Sequence, residues 1–205
     1  MITPTLKLEQ SLWRSGYSFV CGIDEVGRGS FAGPVCVGAV IFSKECVIPD
    51  GICDSKMLRP RTRERLSEEI KKCAEAWAVS EISVKNINKL GIGKATQMAF
   101  RKAVKTLEKK PDFVLVDAFY IKHLNRKRQK VVKDGDEVCA SISAASIIAK
   151  VYRDKLMKKL SRKYPKYGLA KHKGYGTKKH QEAIKKYGLS RIHRKSFDLS
   201  RFLSL

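Results

Sequence analysis

Four carboxylates stand where elements of structure change over: Asp24 and Glu25, which close the apolar run ending at Ile23; Asp117, which follows Phe113-Val114-Leu115-Val116; and Asp136, in Asp134-Gly135-Asp136. Each falls where a strand ends or a loop begins, so all four can reach one end of a common sheet, a place from which catalytic groups often project. Carboxylates gathered there cannot all stay ionised without cations to offset their repulsion, and hard oxygen donors select Mg²⁺ or Mn²⁺. The chemistry open to such a set is phosphodiester hydrolysis, in which paired cations clamp the attacking and leaving oxygens. Taken singly, an Asp beside Gly is most often a turn former, so spacing alone leaves both readings open.

The elements that must position these acids are legible as changes of period. Tyr17 to Ile23 and Val35 to Phe42 are β-branched, apolar runs joined by a loop holding Gly27, Gly29, Gly33 and Pro34, which predicts two strands and a glycine-rich turn. Pro60 sits at a first-turn position, and Leu66, Ile70, Cys73 and Trp77 then recur at helical spacing, predicting a helix over 60–75. Ala76 to Ile82 reads as a strand, Ile92 to Leu107 as an amphipathic helix and Phe113 to Val116 as a strand. A short strand around Lys130 to Val132, a helix over Ser141 to Leu160 and a last helix near Lys178 to Lys186 complete the pattern. We expect one mixed α/β domain over 1–205, a central mixed sheet flanked by helices, with a basic helical C-terminal region.

That region carries most of the charge. Of the 43 Lys and Arg against 20 Asp and Glu, a net of +23, residues 121–205 hold 24 basic and 6 acidic residues. Such a field favours polyanions, because counterion release from phosphates supplies affinity without sequence recognition. The longest apolar run, Val35 to Phe42, falls far short of the roughly 20 residues that cross a bilayer, so no membrane role is expected. The six cysteines fit no zinc spacing and no compact disulfide framework, and read as reduced, buried thiols of a cytoplasmic protein. Gly91-Ile92-Gly93-Lys94-Ala95-Thr96 lacks the spacing of a phosphate loop and the hydroxyl residue directly after Lys.

Gly22-Ile23-Asp24-Glu25-Val26-Gly27-Arg28-Gly29, continued through Gly33-Pro34, resembles the N-terminal signature of ribonuclease HII, the type 2 ribonuclease H. The resemblance continues in order through Asp54-Ser55-Lys56, Val116-Asp117-Ala118, Gly135-Asp136, Ala144 to Val151, His172-Lys173-Gly174-Tyr175-Gly176 and His193 to Phe197, covering residues 17–197. It implies a ribonuclease H-like fold and endonucleolytic cleavage of RNA in RNA/DNA hybrids, with incision 5′ of single ribonucleotides in duplex DNA. It also implies that Asp24, Glu25, Asp117 and Asp136 are catalytic, metal-binding carboxylates for Mg²⁺ or Mn²⁺. By the same carry-over, Gly27, Arg28 and Gly29 form the loop that reads the ribose 2′-hydroxyl, Tyr175 packs on the sugar at the RNA-to-DNA junction, and Lys56, oriented by Asp54, meets the cleaved strand's phosphates. Lys150, His193 and Arg194 are weaker substrate contacts, and Ser146 is a helix-packing or phosphate-contact residue.

The sequence departs from the family pattern at Asp134, where relatives usually carry Lys, which makes Asp136 the least secure of the four ligands. The tail from Ser196 to Leu205 has the apolar character of motifs that dock on a sliding clamp but lacks their usual Gln, so capping of the core is the expected role. Two other families share part of this pattern. Ribonuclease HIII shares the fold, but typically has an added N-terminal domain and a different residue between the two loop glycines. A non-catalytic RNA-binding protein would explain the charge but not the grouped acids. The expectation is a monomeric, metal-dependent endoribonuclease.

Overall fold

The computed structural model describes residues 3–203. Strands β1 (Val20–Val26), β2 (Val35–Ile41), β3 (Ala76–Ile82), β4 (Phe113–Asp117) and β5 (Gln129–Val132) form one sheet in the order β3-β2-β1-β4-β5. β2 runs antiparallel to both β1 and β3, whereas β4 and β5 continue parallel from β1. This is a mixed sheet, as expected. The helices are α1 (Lys7–Arg14), α2 (Pro60–Cys73), α3 (Val84–Leu90), α4 (Ile92–Thr106), α5 (Gly135–Val138), α6 (Ala140–Lys163), α7 (Leu169–His172) and α8 (Lys178–Tyr187).

The two-residue period of the strands sorts their side chains between two layers. Cys21 and Ile23 of β1 and Val114 and Val116 of β4 face α4, packing with Ala95, Ala99, Phe100 and Ala103. Val20, Phe113 and Leu115 face the other way, toward Ile142 of α6 and Trp13 of α1. A fully buried aliphatic side chain of this kind contributes about 1.5 to 3 kcal/mol. α6 runs unusually close to the sheet because Gly22 and Gly38 lack side chains. A Cβ on Gly22 would lie 2.2 Å from the Ser141 carbonyl carbon, and one on Gly38 2.1 Å from the Ala145 oxygen.

Several boundaries differ from the sequence reading. β1 starts at Val20 and runs through Asp24 and Glu25 to Val26, because β2 pairs with it that far, Val26 opposite Cys36. The second helix ends at Cys73, and Trp77, read as its last apolar position, belongs to β3. All six cysteines are free; Cys46 and Cys73 are half-buried rather than buried. Beyond the sheet, the C-terminal half of α6 packs through Met157 on Tyr167, Leu169 and Ile192, anchoring the helical C-terminal region to the loop at Ala32.

Candidate active site

Parallel pairing sets Asp24 and Asp117 side by side. Ile23 of β1 is in register with Val116 of β4, so Asp24 and Asp117 are the next residues along adjacent strands. Asp136 arrives from α5, four residues beyond β5, and the Gly135 N–H donates to Asp117 Oδ1 at 2.9 Å, tying the two segments together. Asp24 Oδ1 accepts the backbone N–H of Glu25 at 2.7 Å. All four carboxylates line one cavity of about 570 Å³ with Gly27, Arg28, Lys56, Ser146, Lys150 and Tyr175.

The electrostatics of this cavity are those of crowded, desolvated acids. Burial raises the Asp24 pKa well above the ordinary carboxylate range, and Glu25, Asp117 and Asp136 push it further against the opposing Ser146 hydroxyl. Burial pushes Glu25 up to about 7, with Arg28 and Lys56 pulling against the charge of Asp117. Asp117 is raised by burial and by Asp136 and Asp134, despite the Gly135 hydrogen bond and the nearby Lys56. Burial works against the Lys56 ammonium, yet Asp136, 3.1 Å away, with Asp54 and Asp24, outweighs it and leaves the Lys56 pKa raised.

The donor set suits a hard divalent cation: four carboxylates with the hydroxyls of Ser55, Ser146 and Tyr175, and no thiolate or imidazole. Glu25 Oε2 is buried without a hydrogen-bond partner, an orphan that a cation would satisfy. Among the described residues no three His, Cys, Asp or Glu side chains form a ready-made ion cage. Part of the reason is visible in Asp136, whose Oδ2 is engaged by Lys56.

The other expected residues are placed differently from one another. Gly27, Arg28, Lys56, Lys150 and Tyr175 reach the cavity wall. Gly27 has φ +85° and packs on Arg153, whose Nε would lie 2.0 Å from a Cβ there, so no side chain fits. Asp54 lies behind Lys56, accepting its backbone N–H at 2.9 Å. Gly29 is exposed and outside the cavity lining.

His193 and Arg194, read as substrate contacts, are instead fully buried. Arg194 donates to the carbonyls of Gly33 (3.0 Å), Arg28 (2.6 Å) and Gly27 (2.7 Å), spanning the glycine loop from beneath. With Nε, Nη1 and Nη2 each donating to a loop carbonyl and no exposed surface, this guanidinium is not presented to a phosphate. His193 bonds to His180 and Ser190. Ser146 is also buried, 3.0 Å from the Ser55 hydroxyl and bonded to Asp24, so it links two walls of the site.

Sequence reasoning missed Arg63 and Arg153. Arg63 of α2 donates to the carbonyls of Ser55 and Leu58 and lies 3.5 Å from Asp154 of α6, pinning the segment that carries Lys56. Arg153 is fully buried, donating to Pro34, Ala32 and Lys173 carbonyls and the Ser30 hydroxyl. The available signal was weak, because Lys150, Arg153 and Asp154 fall where the apolar first half of the helix gives way to a Lys-rich second half.

Residues 21–200 match the family model of ribonuclease HII. The chain is 47% identical over 191 residues to a ribonuclease HII of Caldicellulosiruptor saccharolyticus, covering 93% of this chain and 92% of that protein. Its fold matches the crystal structure of the ribonuclease H2 from Pyrococcus horikoshii OT3 with a TM-score of 0.72 and 28% identity, over 89% of this chain and 95% of the other. It also matches the ribonuclease HII of a PCNA complex from Archaeoglobus fulgidus, with a TM-score of 0.70 and 27% identity, over 86% and 92% of the two chains.

Proposed function

The chain belongs to the ribonuclease HII family, and from that premise we propose how its cavity performs the reaction. The enzyme is an endonuclease acting on RNA/DNA hybrids and on ribonucleotides embedded in DNA. Members of the ribonuclease H family bind divalent metal, and Asp24, Glu25, Asp117 and Asp136 are the residues that would hold Mg²⁺ or Mn²⁺ here. When bound, such ions supply an activated water and offset the charge that develops on the departing 3′ oxygen.

The rest of the work falls to the chain itself. Arg194 fixes the carbonyls of Gly27 and Arg28 and so sets the loop that approaches the ribose 2′-hydroxyl. Lys56, with a largely exposed side chain, offers its ammonium to the cleaved strand's phosphate. Tyr175, 37% exposed at the cavity edge, presents its ring to the sugar that follows the ribonucleotide. Incision falls on the 5′ side of the ribonucleotide and leaves 3′-hydroxyl and 5′-phosphate ends.

The protein acts as a monomer in the cytoplasm, with the basic C-terminal region as part of the substrate surface. Among the described residues no helix is long and apolar enough to cross a membrane. Capping suits the tail better than clamp docking: Leu199 is buried and Phe202 packs 5.5 Å from Phe31, with residues 204 and 205 outside the described part.

The observation that carries this reading is the convergence of four carboxylates, the glycine loop, Lys56 and Tyr175 on one cavity. The test is incision of a labelled DNA duplex containing one ribonucleotide, with Mg²⁺, Mn²⁺ or EDTA, beside an all-DNA control. Cleavage should require metal and the ribonucleotide, and Asp117→Asn should lower it by more than about a hundredfold while leaving hybrid binding within a few-fold. Full activity in that variant would remove Asp117 from the site.

A further inference from the structure

The loop that presents Tyr175 is held by histidines whose proton positions can be worked out one from the next. The Ser190 backbone N–H donates to His193 Nδ1 at 2.9 Å, so that nitrogen must be the acceptor and His193 carries its proton on Nε2. His193 Nε2 lies 3.2 Å from His180 Nε2, so His193 donates and His180 Nε2 accepts. The His180 proton is therefore on Nδ1, 3.0 Å from the Tyr175 carbonyl oxygen, which can only accept. Each nitrogen is paired, and the direction runs one way from Ser190 to Tyr175.

His172 fits the same logic independently. It accepts the Gly174 N–H on Nδ1 at 3.2 Å, which leaves Nε2 to donate to the Tyr167 carbonyl at 2.7 Å. Its ring stacks on His180 with centroids 4.4 Å apart. His180 and His193 are fully buried, so their bonds are shielded from competition with water.

The loop needs this support. Lys173 has φ +51° and Gly174 φ +84°, two successive left-handed residues directly before Tyr175. A non-glycine residue is strained there and persists only where its surroundings over-determine it. The Tyr175 N–H donates to the His172 carbonyl, and its own carbonyl accepts from Thr177 N–H as well as from His180. The peptide is thus clamped from both sides while the ring stays exposed, 5.5 Å from the Arg153 guanidinium.

We propose that His180, backed by His193, is a positioning residue for Tyr175: its Nδ1–H fixes the Tyr175 carbonyl and thereby the ring that engages the RNA-to-DNA junction. This rests on the role given to Tyr175 above. Neither histidine touches substrate; both act through the loop.

The test compares cleavage of a single-ribonucleotide duplex with cleavage of a long RNA/DNA hybrid in four proteins: the parent, His180→Phe, His180→Asn and Tyr175→Ala. Phe keeps the ring packing on His172 but cannot donate, whereas Asn places an N–H where Nδ1 was. His180→Phe should lower the junction-to-hybrid ratio about five- to tenfold, and His180→Asn should restore it to within about twofold of the parent. An unchanged ratio in His180→Phe, with Tyr175→Ala defective, overturns the proposal. An unchanged ratio in Tyr175→Ala overturns the role of Tyr175 instead, and with it the functional half of the proposal. Long-range ¹H–¹⁵N spectra of the parent protein test the hydrogen-bond chain separately, and remain decisive if His180→Phe does not fold. Nδ1–H on His180 with Nε2–H on His193 supports the chain, and any other tautomer pair refutes it.

Discussion

Arg194 carries a charge to a place with no exposed surface, held there by three carbonyls of the glycine loop. Its motif was readable in the sequence but its role was not, because a charged residue defaults to the surface in any reading by type, and only the fold reveals that the loop passes over it. Asp24, Glu25 and Asp117 stood out for the converse reason: each closes an apolar run, and such a break is visible without coordinates, whereas Asp136 lies in a polar stretch. The histidines next to Arg194 give a prediction of their own. Burial holds His180 and His193 at about 4 against an ordinary 6.5. Below pH 6.5 the unfolded chain takes up protons that the folded chain refuses, so the stability these residues supply is complete above that pH and is lost as pH falls toward 4. The loss should be on the order of a few kcal/mol. Asp24 and Glu25, with raised pKa values, act in the opposite sense over part of this range. The comparison to make is therefore urea unfolding of the parent and His180→Asn at pH 7 and pH 5, where the parent should lose more stability. Equal losses would show that His180 titrates normally.

At the scale of elements, α6 is the beam to which the site is fixed, and its first turn is secured by a residue from the other end of the chain. Glu9 of α1 is fully buried, and its Oε1 accepts the Ser141 N–H at 2.9 Å and the Cys139 thiol at 3.2 Å. A carboxylate there satisfies an orphan N–H and meets the positive end of the helix dipole. Glu9→Ala should cost about 1 to 2 kcal/mol in urea unfolding, and Glu9→Gln, which keeps an acceptor oxygen, less than half of that. Equal costs would mean that packing, not capping, is what Glu9 supplies. The long elements were legible: β3 runs from Ala76 to Ile82 as its composition indicates, and α4 from Ile92 to Thr106 as its apolar spacing indicates. α1 was not, because eight residues make only about two turns, too few to establish a period, and one of its two buried residues is a Glu. α3 is shorter still and is announced chiefly by Ser83, whose hydroxyl accepts the Asn86 N–H.

For the whole molecule, acids and bases are divided by function. The few acids that gather do so inside one cavity, whereas the excess of +23 is spread over the surface and concentrated toward the C-terminus. These two fields act on the same phosphodiester in different ways. On the proposed function, the surface would attract every phosphate of a duplex alike, while the cavity would act on one. Binding should therefore be strongly salt-dependent yet indifferent to sugar type in its salt slope, because DNA and hybrid carry phosphates at similar density. Measured with Asp117→Asn to prevent turnover, log affinity against log salt should fall with a slope of about −3 to −6, as expected for roughly four to six phosphates neutralised. An all-DNA duplex should give a parallel line displaced to weaker binding, the displacement reflecting the 2′-hydroxyl and junction contacts at Gly27, Arg28 and Tyr175. A slope shallower than about −1 would detach the basic surface from substrate binding altogether. Converging rather than parallel lines would mean that the ribonucleotide recruits additional phosphate contacts, and would place part of the charge in the recognition step itself.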